Sequence, residues 1–222
     1  MVKPHGRKIK KQVGGILLSE NREDAFYQLR QIPGQMLAGP LFSYFYSLDD
    51  LIRFRSSTAM GDLAHRLAEY RIEDSRIILR RLMWNLNDES GGMAWGSVEA
   101  MGEILKRNKT LAGEFESILF SYIDPDGNFL EHEMLQRGSL WGVGTYLETS
   151  TRPDKAVIKS IIPFLDSNDP VKRGYAVRAL VNMDDKNIDL LPAHIFSDKS
   201  NIPLFDGWNL HTTSVSLVAQ KK

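Results

Sequence analysis

Apolar residues along this chain recur mainly at helical spacing. Leu79, Leu82, Met83 and Leu86 follow the i, i+3, i+4, i+7 pattern of one buried helix face. Ala94, Val98, Met101 and Leu105 repeat the pattern in the next segment. Strand-like alternation is nearly absent before residue 200, so the pattern predicts an all-α chain for most of its length. Ser19 is expected to cap a helix running to Ile32, which Pro33 and Gly34 then stop. Pro40 and the stretch Leu48 to Asp50 bound a short helix rich in aromatic residues (Phe42, Tyr44, Phe45, Tyr46). Asn87 to Gly92 and Asp124 to Asn128 read as loops, and Asp169-Pro170 as an N-cap followed by proline in the first helical turn. At the end of the chain, Ile202 to Phe205, the Asp206-Gly207 turn and Leu210 to Val215 predict a small β-hairpin.

The helices carry an internal repeat. Ala59-Met60-Gly61, Ala100-Met101-Gly102 and Gly142-Val143-Gly144 each fall late in an expected helix, and Ala179-Leu180-Val181 is a looser fourth copy. Their last members, at 61, 102, 144 and 181, are spaced by 41, 42 and 37 residues. A period near 40 is that of paired-helix repeat units, about four of them here. Small residues at fixed positions have a physical purpose, because stacked helices approach closely only where side chains are absent. No single pair buries its apolar face alone, so such units must stack. A stack leaves an apolar face at each end, and the hairpin is expected to cap one of them.

The stretch from Asp169 to Leu180 (Asp-Pro-Val-Lys-Arg-Gly-Tyr-Ala-Val-Arg-Ala-Leu) closely resembles the first helix of the HEAT-like repeats found in phycobilisome-lyase-type proteins. Val181 stands where that repeat usually has glycine. The stretch from Arg80 to Leu105 resembles an uncharacterised bacterial family of small HEAT-repeat proteins, and the similarity covers residues 40 to 219. The resemblance implies a right-handed α-solenoid and carries no activity, since such repeats are scaffolds in many unrelated proteins. The expected organisation is a basic flexible tail over 1–18, a HEAT-like helical domain over 19–196 and the hairpin cap over 197–222.

Charge and composition narrow the function classes. Lys plus Arg number 28 and Asp plus Glu 28, so the chain exerts no global attraction on nucleic acid or acidic membranes. Lys3, Arg7, Lys8, Lys10 and Lys11 make a local basic patch, read either as a solvated tail or as an arm for acidic partners. The chain has no cysteine, which excludes disulfides, thiol catalysis and cysteine-ligated zinc. Val13 to Leu18, broken by Gly14 and Gly15, is too short for a signal-peptide core, and no apolar run is long enough to span a membrane. The location expected by default is cytoplasmic.

Candidate chemistry concentrates in Arg80, Arg81, Trp84, Asn85, Asp88 and Glu89. Arg81, Asn85 and Asp88 lie at i, i+4, i+7 and share one helix face. In the second helix of a HEAT-like pair, that face is expected to look into a concave groove. Arg, Trp and Asn suit interfaces because they combine apolar area with directional hydrogen bonds. The competing reading is structural, with Arg–Asp pairs between repeats and Asn87 to Ser90 capping the next helix. Trp95, Glu99, Arg137 and Trp141 occupy the next two first helices, where Arg137 and Trp141 join the candidate groove residues and the competing reading packs tryptophan in the core. Glu131-His132-Glu133 is the one acidic-histidine cluster, too sparse for a di-iron site, with its acids read as first-turn residues favoured by the helix dipole. Asp124 to Asn128 fails as a calcium loop, because its glycine comes too early and Leu135 stands at the twelfth position. No phosphate loop, nucleophile elbow or kinase pattern is present. No catalytic residue, metal ligand or cofactor is assigned. The leading expectation is a non-catalytic scaffold for a protein or peptide. The alternatives are a nucleic-acid protein resembling HEAT-like DNA glycosylases, which zero net charge disfavours, and a metal enzyme built on His132.

Overall fold

The computed structural model describes residues 5–86, 94–150 and 155–220. Eleven α-helices occur among them: α1 (His5–Leu17), α2 (Arg22–Arg30), α3 (Gly34–Tyr44), α4 (Asp50–Tyr70), α5 (Ile72–Leu86), α6 (Ser97–Arg107), α7 (Lys109–Ser121), α8 (Glu133–Leu147), α9 (Lys155–Ile161), α10 (Pro170–Met183) and α11 (Val215–Gln220). Short 3-10 turns follow α9 and α10, and β1 (Asn201–Phe205) pairs antiparallel with β2 (Leu210–Ser214) ahead of α11.

The helices form an α-solenoid. α4, α6, α8 and α10 stack on one another as a continuous layer of first helices, while α5 packs on α4, α7 on α6, and α9 with its 3-10 turn on α10. α1, α2 and α3 close the α4 end. The four small triplets lie in the first helices, and they set the spacing. A Cβ at Gly102 would come within 2.2 Å of the Gly142 carbonyl oxygen, and one at Gly142 within 2.4 Å of the Val98 oxygen. Backbone therefore meets backbone between α6 and α8, as the repeat predicts. Around these contacts the layer is almost wholly buried, from Ser97 to Leu105 in α6 and from Gly138 to Leu147 in α8.

Helix ends follow their caps. Asp169 accepts from the Val171 N–H with Pro170 in the first turn, and Asn108 accepts from the Leu111 N–H at the start of α7. Asp124 to Asn128 is a turn between α7 and α8, closed by the Gly127 N–H on the Asp124 carbonyl. The expected loop over Asn87 to Gly92 lies outside the described residues.

Several boundaries differ from expectation. Residues 5–17, expected as a flexible tail, form α1 and bury Val13, Ile16 and Leu17, with the basic Arg7, Lys8, Lys10 and Lys11 exposed. Asn21 caps α2 through the Asp24 N–H, while the Ser19 hydroxyl donates to the Asn21 carbonyl instead. α3 starts at Gly34 and runs through Pro40, which has no N–H to donate to the Met36 carbonyl. Trp95 precedes α6 rather than lying in it.

The hairpin forms where the sequence places it, with Gly207 at φ 101° in its turn. Its position is another matter. It does not merely cover one end of the stack: it also folds back across the first-helix layer. Ile202 packs at Gly174 on α10, and Phe205 stacks on Phe54 of α4 with ring centroids 5.1 Å apart. At the tip, Arg55 of α4 donates to the Trp208 carbonyl (2.7 Å) and to the Leu17 (2.8 Å) and Ser19 (2.9 Å) carbonyls. Trp208 donates from Nε1 to the Ser19 carbonyl at 2.9 Å, and its ring lies 4.6 Å from the Arg55 guanidinium. One buried arginine thus ties the last 20 residues to the first 20.

Candidate functional site

Because the hairpin bridges the layer, it borders a half-open cleft of about 730 Å³ between itself and α6, α8 and α10. The helix wall presents Lys106, Trp141, Thr145, Glu148, Arg178 and Asn182, and the sheet wall presents Leu204, His211, Thr212 and Thr213. Among the described residues, none from α5, α7 or α9 lines it.

Glu148 organises the helix wall. It pairs with Lys106 of α6 and with Arg178 of α10, and it accepts from Asn182 Nδ2 at 3.2 Å. Arg178 also donates to the Trp141 carbonyl at 3.3 Å and lies 3.9 Å above the Trp141 ring. Burial lowers the pKa of Arg178, against the raising effect of Glu148. Trp141 is 2% exposed and sits among Phe54 (4.9 Å), Tyr175 (4.8 Å) and Phe205 (6.5 Å). It is both core and cleft floor. On the hairpin, burial acts to raise Asp206, but backbone N–H groups of Asn209 and Trp208 and the side chain of His211 hold it at about 2. Three adjacent repeats and the hairpin therefore supply the walls, with Lys106 and Arg178 already beside Glu148.

A second buried group lies between α4 and α6. Glu99 is 2% exposed, with Oε1 3.4 Å from Arg53 Nε and Oε2 without a hydrogen-bond partner. Burial pushes its pKa up to about 7, although Arg53 opposes the shift. The carboxylate occupies space left by Gly138, where a Cβ would lie 2.8 Å from Oε2. Arg53 has a second partner in Asp50 at 2.7 Å.

The residues singled out from the sequence separate into two groups. Arg80, Arg81, Trp84 and Asn85 sit on α5, in the outer layer and away from the cleft. The order of a helix within its pair does not decide which layer faces inward. Arg80 pairs with Glu73 about two turns back, Arg81 lies 4.0 Å above the Phe42 ring, and Trp84 is 75% exposed. Asp88 and Glu89 lie outside the described residues. Arg137 donates to Asp169 at 2.6 Å, tying α8 to the N-cap of α10, and Trp141 alone reaches the cleft. His132 caps α8 by accepting from the Met134 N–H and packs 4.8 Å from the Trp95 ring, while Glu133 lies 3.6 Å from Lys172. Lys106, Glu148, Arg178 and Asn182 escaped the sequence reading. A signal for two of them was present, since Lys106 and Glu148 each stand four residues after the last glycine of a triplet. Equivalent positions in adjacent repeats meet side by side.

A solenoid of helical pairs with a strapped inner cleft is the class of protein that fold and site define. No family model matches the chain. An uncharacterised protein of Archaeoglobus fulgidus is 23% identical over 177 residues, covering 79% of this chain and 90% of that protein. Among solved structures, the chain is similar to a computationally designed armadillo repeat protein for modular peptide recognition (13% identity, TM-score 0.46, 94% of this chain and 96% of that one). It is also similar to a designed armadillo repeat protein in complex with the peptide (KR)4 (16% identity, TM-score 0.44, 81% and 85% covered). Among the described residues, no helix is long and apolar enough to cross a membrane.

Proposed function

We propose that this chain is a non-catalytic HEAT-like scaffold that holds a protein or peptide segment in the cleft between the first-helix layer and the hairpin. The observation that carries the reading is the cleft itself: a preformed space of about 730 Å³ combining apolar surface (Leu204, Val181) with hydrogen-bonding groups. Charge favours a peptide over a phosphate backbone, because Lys106 and Arg178 both engage Glu148 and the chain as a whole is neutral. The cytoplasmic location expected from the sequence belongs to the same proposal, and cell fractionation tests it.

A second contact surface is the outer face of α5, proposed on the exposure of Trp84 beside Arg80, Arg81 and Asn85. One pull-down from native lysate tests both surfaces, with equally folded proteins as bait. Asn182→Arg with Thr213→Arg fills the cleft, and Arg81→Glu with Trp84→Ser alters α5. A specific protein retained by wild type and by the α5 variant, but lost by the cleft variant, supports the cleft. Loss with the α5 variant alone moves binding to the outer layer. Capture of nothing by wild type contradicts the scaffold reading.

A further inference from the structure

The two strands of the hairpin differ in what they leave unpaired. Antiparallel partners alternate between pairs that exchange hydrogen bonds and pairs that do not. Three features fix the phase here. The Val215 N–H donates to Ser200 and the Asp206 N–H donates to Asn209, so the pairs 200/215 and 206/209 are of the bonded kind. Pro203, opposite Thr212, has no N–H to give. The bonded pairs are therefore Ile202–Thr213 and Leu204–His211. It follows that the N–H and C=O groups of Leu210 and Thr212, and the N–H of Ser214, point away from β1 along the outer edge of β2.

That edge is an unused template. β1 is blocked as a template by Pro203 and is packed on α10. β2 carries no proline, no lysine and no bulge, the usual devices that discourage pairing at an edge. Thr212 is exposed, and His211, Thr212 and Thr213 border the cleft.

We propose that the outer edge of β2 is the docking strand of the cleft, on which an extended peptide adds as a third strand through the backbone groups of Leu210 and Thr212. This inference rests on the cleft being the binding site and names how its occupant is held. Strand addition draws affinity from main-chain hydrogen bonds and specificity from pockets for alternate side chains. Every second side chain of the incoming strand enters the cleft, where Leu204 and Val181 are half-buried and Lys106 and Arg178 both stand beside Glu148. The chemistry selected is thus an extended segment with uncharged, apolar residues at alternate positions. α11 begins directly after Ser214, and its Leu217 N–H donates to the Ser214 hydroxyl, so the paired stretch is short.

The test uses a displayed library of random linear peptides selected on the full chain, followed by titration of one enriched synthetic peptide. Thr212→Pro deletes an outward N–H and leaves the β1–β2 bonds intact, while Thr212→Val keeps the N–H. The expected result is binding weakened at least about tenfold by Thr212→Pro, with Thr212→Val close to wild type. N-methylation at alternate amides of the peptide is expected to abolish binding in one register only, and this arm decides the matter if Thr212→Pro fails to fold. Unchanged binding by a folded Thr212→Pro protein, or by peptides methylated in either register, overturns strand addition and leaves the cleft standing. If no peptide is enriched on wild type, both readings fail. If wild type self-associates without peptide and Thr212→Pro is monomeric, a second copy occupies the edge and the peptide proposal is overturned.

Discussion

Replacing Gly102 with alanine tests the physical basis of the repeat. The added Cβ would lie 2.2 Å from the Gly142 carbonyl oxygen and 2.6 Å from its Cα, where ordinary contact begins at 3.4 Å. Both obstructing atoms are backbone, so no side chain can swing aside. α6 and α8 must part by roughly 1 Å along a close-packed interface. Overpacking of this kind costs about 1–3 kcal/mol, and the better helix propensity of alanine returns at most about 1 kcal/mol. The net expectation is a loss of about 1 kcal/mol. For a domain of this size that is a fall of about 2–4 °C in Tm, measurable by calorimetry or urea titration. Gly113 is the matched control: it lies inside α7, and a Cβ there would meet nothing within 4 Å. Gly113→Ala should raise stability by about 0.5–1 kcal/mol. The same substitution thus changes sign between two helices. A Gly102→Ala protein that melts at or above wild type would refute the close-approach argument.

Three further predictions follow from buried and exposed groups. Glu99 has a folded pKa raised to about 7 from an ordinary value of 4.5, so the folded state binds a proton more tightly than the unfolded one. The contribution of Glu99 to stability should therefore be fully present below its unfolded pKa and be lost as pH rises to about 7, by on the order of 2–3 kcal/mol, so the difference in stability between wild type and Glu99→Gln should change by that amount across this range in urea titrations at stepped pH. Arg55→Met leaves the carbonyls of Trp208, Leu17 and Ser19 without their donor, so hydrogen exchange at the hairpin tip and the α1–α2 link should accelerate while the protection of α6 and α8 persists. Trp84→Ser should change stability by no more than about 0.5 kcal/mol, because the side chain is exposed, and a large loss in the urea midpoint would show that it packs.

How much was legible in the sequence depends on the range of the interaction. The glycine triplets announced the period of the stack, because a missing side chain is a direct statement about helix proximity. The hairpin was equally plain from Asp206-Gly207 and its flanking strands, since a turn is a local event. Where the hairpin goes was not legible, because its destination rests on Arg55 and Trp208, 153 residues apart. An arginine in an amphipathic helix looks like a surface residue until its carbonyl partners are in place. A tryptophan beside a turn was the one sequence sign that the hairpin buries its tip. The basic N-terminus hid a helix face: Val13, Ile16 and Leu17 stand at i, i+3, i+4, but Gly14 and Gly15 between them read as a break. For α5, periodicity identified the apolar face and said nothing of which layer the polar face would front.

The most direct test of the account is the position of the hairpin over the first-helix layer, since the cleft and its docking strand both depend on it. The chain has no cysteine, so Ser19→Cys with Asn209→Cys gives two unique labelling sites, flanking the Trp208–Ser19 hydrogen bond. Spin labels at these sites should report one short, narrow distance distribution in solution. A long or broad distribution in a folded protein would contradict the strapped solenoid, and with it the cleft.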